Sequence, residues 1–260
     1  MNKKKIVQIT TADERWYVRD SKNKETGLPE YEFVPSVTWI CGFYPKGIEF
    51  YKWLASKGWN EAEAIKNAAG DKGSKIHLAI ADLLSGNEVK INSQYLNKTT
   101  GQLEELTLDE YAGVMSFFEW CKEINPEIVG FEFVVWNNDH NYAGTVDLKC
   151  KINNELWIID VKSGQYVWPE HELQVSAYKH ADGDDAKLAI LQVGYHRNKK
   201  EWKFTEIQDQ FELFLGARRV WAKETTGINP LQKDYPMSLK IEKVGTQNVK
   251  LKIKSKIKTK

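Results

Sequence analysis

The sequence predicts an α/β fold, a mixed central β-sheet flanked by helices with an N-terminal helical extension. Three observations predict it. Helical patterns dominate the chain from Ser36 to Lys122, β-prone runs replace them after Asn125-Pro126, and one helix then separates those runs from a further pair of strands. At 260 residues the chain is long enough to bury a substantial core.

Val7–Thr11 and Trp16–Arg19 read as the strands of an N-terminal hairpin, followed by a polar, Gly/Pro-containing loop from Ser21 to Pro35. Residues 1–35 thus precede the main domain. Ser36 is placed to cap a helix, and a second helical stretch covers Gly47 to Lys57. Asn60–Ala69 is rich in Glu, Ala and Ile, with Gly70 positioned to end it. Asp71 then opens Ser74–Leu84, where Ile76, Ala79, Ile80, Leu83 and Leu84 recur at helical spacing. Thr107-Leu-Asp-Glu110 is a capping box leading into a helix through Lys122.

Beyond Pro126 come the strand Val129–Trp136 and two more strands around Asn153-Asn154. His171–His180 reads as a helix, Leu188–His196 and Glu201–Ile207 as strands, and Gln210–Lys223 as the last helix. Residues 36–239 form the predicted main domain, and residues 240–260 a basic strand or tail. In that last piece lysine occupies every even position from Lys250 to Lys260, which suits an edge strand with one lysine face or a disordered basic tail equally.

The composition, 42% hydrophobic and 28% charged, is that of a globular protein, and no apolar run is long enough to span a bilayer. The basic N-terminus lacks the apolar stretch and cleavage site of a secretory signal, which predicts a cytoplasmic protein with no membrane partner. Cys41, Cys121 and Cys150 are odd in number, widely spaced and without a Cys-x-x-Cys pair. A disulfide framework, a zinc site and an iron–sulfur cluster are therefore not expected. Residues 240–260 carry +7, so the other 239 residues carry −6 of the net +1. A mildly acidic body with a basic tail excludes nucleic-acid binding over the whole surface and favours a local groove or a tethering arm.

The most informative segment is the pair of strands around Asn153-Asn154. Asn tolerates the positive φ of a two-residue type I′ turn. In that register Ile152 pairs with Glu155, and Asp147 falls directly opposite Asp160. Like charges in that relation repel at a Cβ separation of ~5 Å, which calls for a nearby cation, most naturally a divalent metal. Replacing Asp147 with Asn is then expected to stabilise the metal-free chain. Lys162 lies two residues beyond Asp160 and shares its face, while Trp157, Ile159 and Val161 point into the core. Two carboxylates and a lysine on one face suit metal-assisted hydrolysis of a phosphodiester. Each residue taken singly reads as a solvated strand charge, and only their joint spacing gives the chemistry weight.

Gly144-Thr-Val-Asp147, Asp160-Val-Lys162-Ser-Gly164 and Gln174-Val-Ser-Ala-Tyr178 together resemble the core of the PD-(D/E)XK nuclease superfamily, in its RecB-like branch. Two further pieces agree with that branch: Gly73-Ser-Lys-Ile-His77 on an upstream helix, and Glu132 on the strand before the hairpin. The resemblance covers roughly Pro35 to Ala181. Its front part is most similar to mitochondrial genome maintenance exonuclease and related phage nucleases. It implies a restriction-endonuclease-like core. It further implies that His77, Asp147, Asp160 and the Val161 backbone carbonyl hold Mg²⁺ or Mn²⁺, with Lys162 as the catalytic lysine. An imidazole among the ligands suits Mn²⁺ at least as well as Mg²⁺.

Gln174 and Tyr178 share a helix face. The resemblance implies a place beside the site, where they contact DNA or orient the catalytic strand, against a plain packing role. Glu132 is either an acid supporting the metal site or an edge-strand charge. Tyr166 and Trp168 follow the lysine strand and suit base stacking or packing equally. Arg218, Arg219 and Lys223 read better as a solvated face than as phosphate contacts. The implied function is a metal-dependent DNA exonuclease working from DNA ends, single-stranded ends included, in replication, repair or recombination, with a replication or single-strand annealing protein as a possible partner. Alternatives are a double-strand-specific 5′→3′ recombination exonuclease, a structure-specific endonuclease, or an inactive DNA-binding module. No Walker A loop is present. Oligomeric state is not legible.

Overall fold

A computed structural model describes residues 6–11, 14–22, 27, 29–233, 235 and 239. The basic segment 240–260, read above as strand or tail, lies outside them. Three strands, β1 (Ile6–Thr10), β2 (Arg15–Lys22) and β3 (Pro29–Pro35), form an antiparallel N-terminal sheet. The expected hairpin is formed by β1 and β2, while the expected loop is corrected, since β3 lies within it. Tyr31 and Phe33 alternate with Glu30 and Glu32 in β3, a strand period masked by the prolines that bound it. Arg19 of β2 pairs with Glu32 (2.8 Å) and lies 4.0 Å over the Trp136 ring, tying this sheet to the main body.

Ser36 caps α1 (Val37–Cys41) by accepting the Trp39 N–H at 3.1 Å. Then come α2 (Ile48–Lys57) and α3 (Trp59–Leu84). The expected break at Gly70 is absent, and α3 runs through both Gly70 and Gly73. A glycine inside a helix costs only ~1 kcal/mol, and no proline enforces a stop. A short hairpin, β4 (Gln94–Leu96) and β5 (Leu103–Glu105), was not legible because three residues per strand show no period. Its Tyr95 is buried against α3 and donates to Asp82 at 3.0 Å. The capping box at Thr107 is formed as expected and opens α4 (Leu108–Ile124).

The main sheet has five strands in the order β10-β9-β8-β7-β6. They are β6 (Glu127–Asn137), β7 (Tyr142–Ile152), β8 (Glu155–Lys162), β9 (Lys187–Val193) and β10 (Trp202–Ile207). All neighbours are antiparallel except β8 and β9, which α5 (Pro169–Asp182) connects as a crossover. With α6 (Phe211–Glu224) the elements give the expected mixed sheet flanked by helices. Tyr142, Val146, Ile158 and Ile190 face α1, α5 and α6 in one core with Leu173, Tyr178 and Phe214. Leu148, Ile159, Val161 and Leu191 face α3 and α4 in a second core with Ile76, Phe117 and Trp120.

Asn153 (φ 51°) and Asn154 (φ 66°) make the positive-φ turn, and the register runs as predicted from Ile152↔Glu155 to Leu148↔Ile159. There the pairing stops. The expected facing pair Asp147–Asp160 is not formed, because β7 changes face at Asp147: Val146 lies in one core and Leu148 in the other. Strand β6 does the same at Glu132, between Phe131 and Phe133. The β6–β7 ladder skips the Glu132/Asp147 position, where Glu132 adopts φ 46°, a region few non-glycine residues occupy. Period-2 reasoning fails at a face switch, and this one lies at the two acids.

Gly144 of β7 shows how closely this region packs. A Cβ there would lie 2.4 Å from Tyr178 Cε1 and 3.1 Å from Val37 Cγ2. Gly144→Ala should therefore destabilise the protein by about 1–3 kcal/mol through overpacking, lowering Tm by several degrees. Tyr178→Ala removes a core ring and destabilises by itself, but combined with Gly144→Ala it should lower Tm by less than the two single losses together. Additive losses would show that the two residues do not meet.

Candidate active site

His77 sits on the part of α3 that packs against the sheet. Its Nε2 is 3.0 Å from the Val161 carbonyl oxygen of β8. Its Nδ1 is 3.3 Å from Glu132 Oε1 and 3.6 Å from Asp147 Oδ1. One ligand atom each from His77, Glu132 and Asp147 lie within 4.8 Å of one another. Asp147 Oδ2 also accepts the Val161 N–H at 2.8 Å, so the carboxylate takes up the backbone donor left free where β7 and β8 stop pairing. Gly73, one turn before His77, brings α3 near the end of β8: a Cβ there would be 3.5 Å from Ser163 Oγ.

Asp160 and Lys162 lie on the α5 side of the sheet. Asp160 is 0% exposed, with Oδ2 2.8 Å from Lys162 Nζ. Its Oδ1 has no hydrogen-bond partner among the described residues. Lys162 Nζ donates to Gln174 Oε1 at 3.3 Å, and Gln174 Nε2 donates to the Tyr178 hydroxyl at 2.5 Å. Pro169 sits in the first turn of α5, and Gln174 and Tyr178 follow on one face of that helix. The structure thus places the predicted site residues in two groups, His77, Glu132, Asp147 and the Val161 carbonyl on one side and Asp160, Lys162, Gln174 and Tyr178 on the other. Glu132, the least secure of them in the sequence, is central to the first group.

Burial works against a charged His77, but Asp147 and Glu132 outweigh it and raise the imidazole pKa to about 9. Burial raises the Asp160 carboxyl, Lys162 offsets part of that, and Asp147 adds to it. Lys162 is opposed by burial yet lifted above the ordinary lysine range by Asp160 and Asp147, so it stays an ammonium. The Tyr178 phenol is held far above its usual range by burial and by the charges of Asp160 and Asp147. It therefore stays protonated.

His171 was missed. Burial, with Lys162 adding to it and Asp160 pulling the other way, lowers its pKa to about 4. Its neutral Nδ1 accepts the Trp168 N–H at 3.3 Å. A signal was available, since His171, Gln174 and Tyr178 fall at i, i+3 and i+7 on the predicted helix. Lys46, paired with Glu170 of α5, and the buried Cys41 also border the site. The Tyr17 and Thr145 hydroxyls are hydrogen-bonded at 2.7 Å, so the N-terminal sheet props β7 two residues before Asp147. Tyr166 and Trp168 are exposed. Arg219 and Lys223 are solvated as read, whereas Arg218 is half-buried beside Tyr142.

These contacts reverse the expected effect of Asp147→Asn. Asp147 faces a cationic His77 and a backbone N–H rather than an opposed Asp160. A histidine pKa raised from about 6.5 to about 9 gives stabilisation that is complete below about pH 6.5 and lost as pH rises through 9. Metal-free wild type should therefore lose Tm between pH 6.5 and 9.5. D147N should melt lower at pH 7 and show a flatter profile. An equal or higher Tm at pH 7 would show that Asp147 does not stabilise the His77 cation.

No protein-family model matches the chain, and neither does any curated protein. Among solved structures, the chain is similar to the crystal structure of an alkaline exonuclease from Laribacter hongkongensis, with 11% identity over 72% of this chain and 84% of that one, at a TM-score of 0.37. It is also similar to the crystal structure of SSO0001, with 15% identity over 76% of this chain and 78% of that one, at a TM-score of 0.30.

Proposed function

We propose that this protein is a metal-dependent DNA nuclease, an exonuclease working from DNA ends. The observation that carries the reading is the buried Asp160–Lys162 ion pair beside the convergent cluster of His77, Glu132 and Asp147. A stabilising role alone is a poor account of it. Burying an ion pair gains little or nothing over apolar packing, and here one carboxylate oxygen is left without a partner.

The donor set fits a divalent cation. His77, Glu132, Asp147 and the Val161 carbonyl would hold it, and Asp160, which lies outside that cluster, is added on the resemblance alone. When bound, Mg²⁺ or Mn²⁺ supplies Lewis-acid polarisation of a phosphoryl oxygen and lowers the pKa of water. Mixed nitrogen and oxygen donors suit Mn²⁺ at least as well. Lys162, charged at neutral pH, cannot serve as a general base. It stabilises developing negative charge on the phosphate and can donate a proton. Gln174 orients the lysine, and the protonated Tyr178 fixes Gln174. A carbonyl, two or three acids and one positioned ammonium are what phosphodiester hydrolysis asks of a protein.

Lys162→Met should lower cleavage of end-labelled linear DNA in Mg²⁺ or Mn²⁺ by at least about 10²–10³-fold. The substitution also strips Asp160 of its partner, so Tm is measured in parallel and cleavage scored where the variant is folded. A folded variant that cuts as well as wild type sinks the mechanism. Degradation of closed circles by wild type excludes the exonuclease reading.

Metal binding needs a neutral imidazole, and His77 is protonated at pH 7.5 in the metal-free site. Calorimetric titration with Mn²⁺ in buffers of different ionisation enthalpy should report nearly one proton released at pH 7.5, falling towards zero above pH 9.5. Binding without proton release at pH 7.5 would remove His77 from the ligand set.

A further inference from the structure

The chain leaves Lys162 at the end of β8 and enters α5 at Pro169, so residues 163–168 link the lysine to the helix that carries its Gln174 partner. Two of those residues are aromatic and turned to solvent, Tyr166 at 56% and Trp168 at 57% exposed. Their backbone is nevertheless held. Gln165 Nε2 donates to the Gly194 carbonyl at 2.7 Å, and Gln165 Oε1 accepts the His196 N–H at 3.1 Å. Gln192 Nε2 donates to the Gly164 carbonyl at 2.8 Å, and the Trp168 N–H is taken by His171. Two large rings are thus presented to water from an anchored segment, without a place in either core. The hydrophobic effect disfavours that arrangement unless something covers the rings.

The rings lie 5.8 Å apart at 35°, and the Arg197 guanidinium sits 4.3 Å over the Tyr166 ring. Arg197 therefore covers one face of Tyr166 and Trp168 lies alongside it, too near for a third ring to enter between them. The open surface is that of Trp168. A flat, apolar ligand that also brings a negative charge for Arg197 matches this layout, and a nucleotide is such a ligand.

We infer that Trp168, backed by Tyr166, is a stacking platform for one unpaired nucleobase of the DNA strand entering the site, with Arg197 facing the adjoining phosphate. The inference rests on the nuclease reading and narrows its substrate to single-stranded or frayed ends. Stacking on an exposed ring requires a free base face, which a duplex interior does not offer. It is also sequence-tolerant, because every base has such a face. Trp168 lies one helical turn before His171, which feels the charges of Lys162 and Asp160, so a base held there would lead its strand towards them.

The test uses the metal-free 260-residue chain and single-stranded oligodeoxynucleotides with 2-aminopurine placed at successive positions from one end. One or two adjacent positions should be quenched on binding. Trp168→Ala should abolish that quenching and weaken single-strand affinity about tenfold, Tyr166→Ala should act in the same direction less strongly, and Trp168→Phe should retain most of both. An abasic site at the responsive position should weaken wild type to the level of W168A and leave W168A unchanged. Because the ring is exposed, the Tm of W168A should match wild type, which separates lost stacking from lost folding. Absence of any quenched position, or a folded W168A that quenches and binds as wild type, overturns the inference. Cleavage of the same strands in Mn²⁺ is read separately. Cleavage without a stacking response sinks the platform and leaves the nuclease reading, and a stacking response without cleavage does the reverse.

Discussion

Three carboxylates flank the break in the sheet, and two cations pair with them. His77 lies against Asp147 and Glu132, and Lys162 against Asp160. Asp160 is fully buried, where an unpaired charge costs several kcal/mol, whereas the half-buried His77 and Asp147 and the exposed Glu132 keep contact with water. Each flanking element then has a definable task. Helix α3 delivers the imidazole from one side of the sheet, and α5 fixes the ammonium through Gln174 from the other. The N-terminal sheet supports β7 through Tyr17 and Thr145.

The geometry that lets these charges meet is a fault in the sheet. A regular β6–β7–β8 ladder would send Glu132, Asp147 and Asp160 to faces fixed by strand period. Instead β6 and β7 both exchange faces at one position, and β7 parts from β8 there. The freed Val161 N–H is taken by Asp147 and the Val161 carbonyl meets His77, so both polar groups of one β8 residue are satisfied across the gap. Irregularities of this kind, with a glutamate at φ 46°, cost free energy and persist where the surroundings over-determine them.

Most of the architecture was legible because it follows local rules. The Asn153-Asn154 turn set the hairpin register, Thr107 with Glu110 marked a helix start, and alternation of apolar residues marked the strands. The errors have equally local causes. Gly70 resembled a helix stop, yet nothing in a helix forbids glycine. Prolines at both ends disguised β3. The site residues were visible as a set of spacings, but their arrangement was not. A face switch leaves no trace in hydrophobic period, so Asp147 was paired with Asp160 across a strand when its partners are His77 and Val161. His171 was within reach, sharing a helix face with Gln174 and Tyr178, but a single histidine at a helix start carries little weight by itself.

Formal charge links the proposed metal to the two cations already in the site. With three ionised acids, a protonated His77 and Lys162, the site carries −1. On the proposed reading, exchanging the His77 proton for a divalent cation would take it to zero, and the imidazolium would stand in for the metal when none is bound. The same exchange would leave Lys162 as the site's remaining protonated cation, held by Gln174 and free to face a phosphate once the metal shares Asp160. On this argument the raised histidine pKa and the retained ammonium have one cause. On the proposed reading, an acid-rich break in a sheet keeps two positive charges until a metal would replace the first and a phosphate would engage the second.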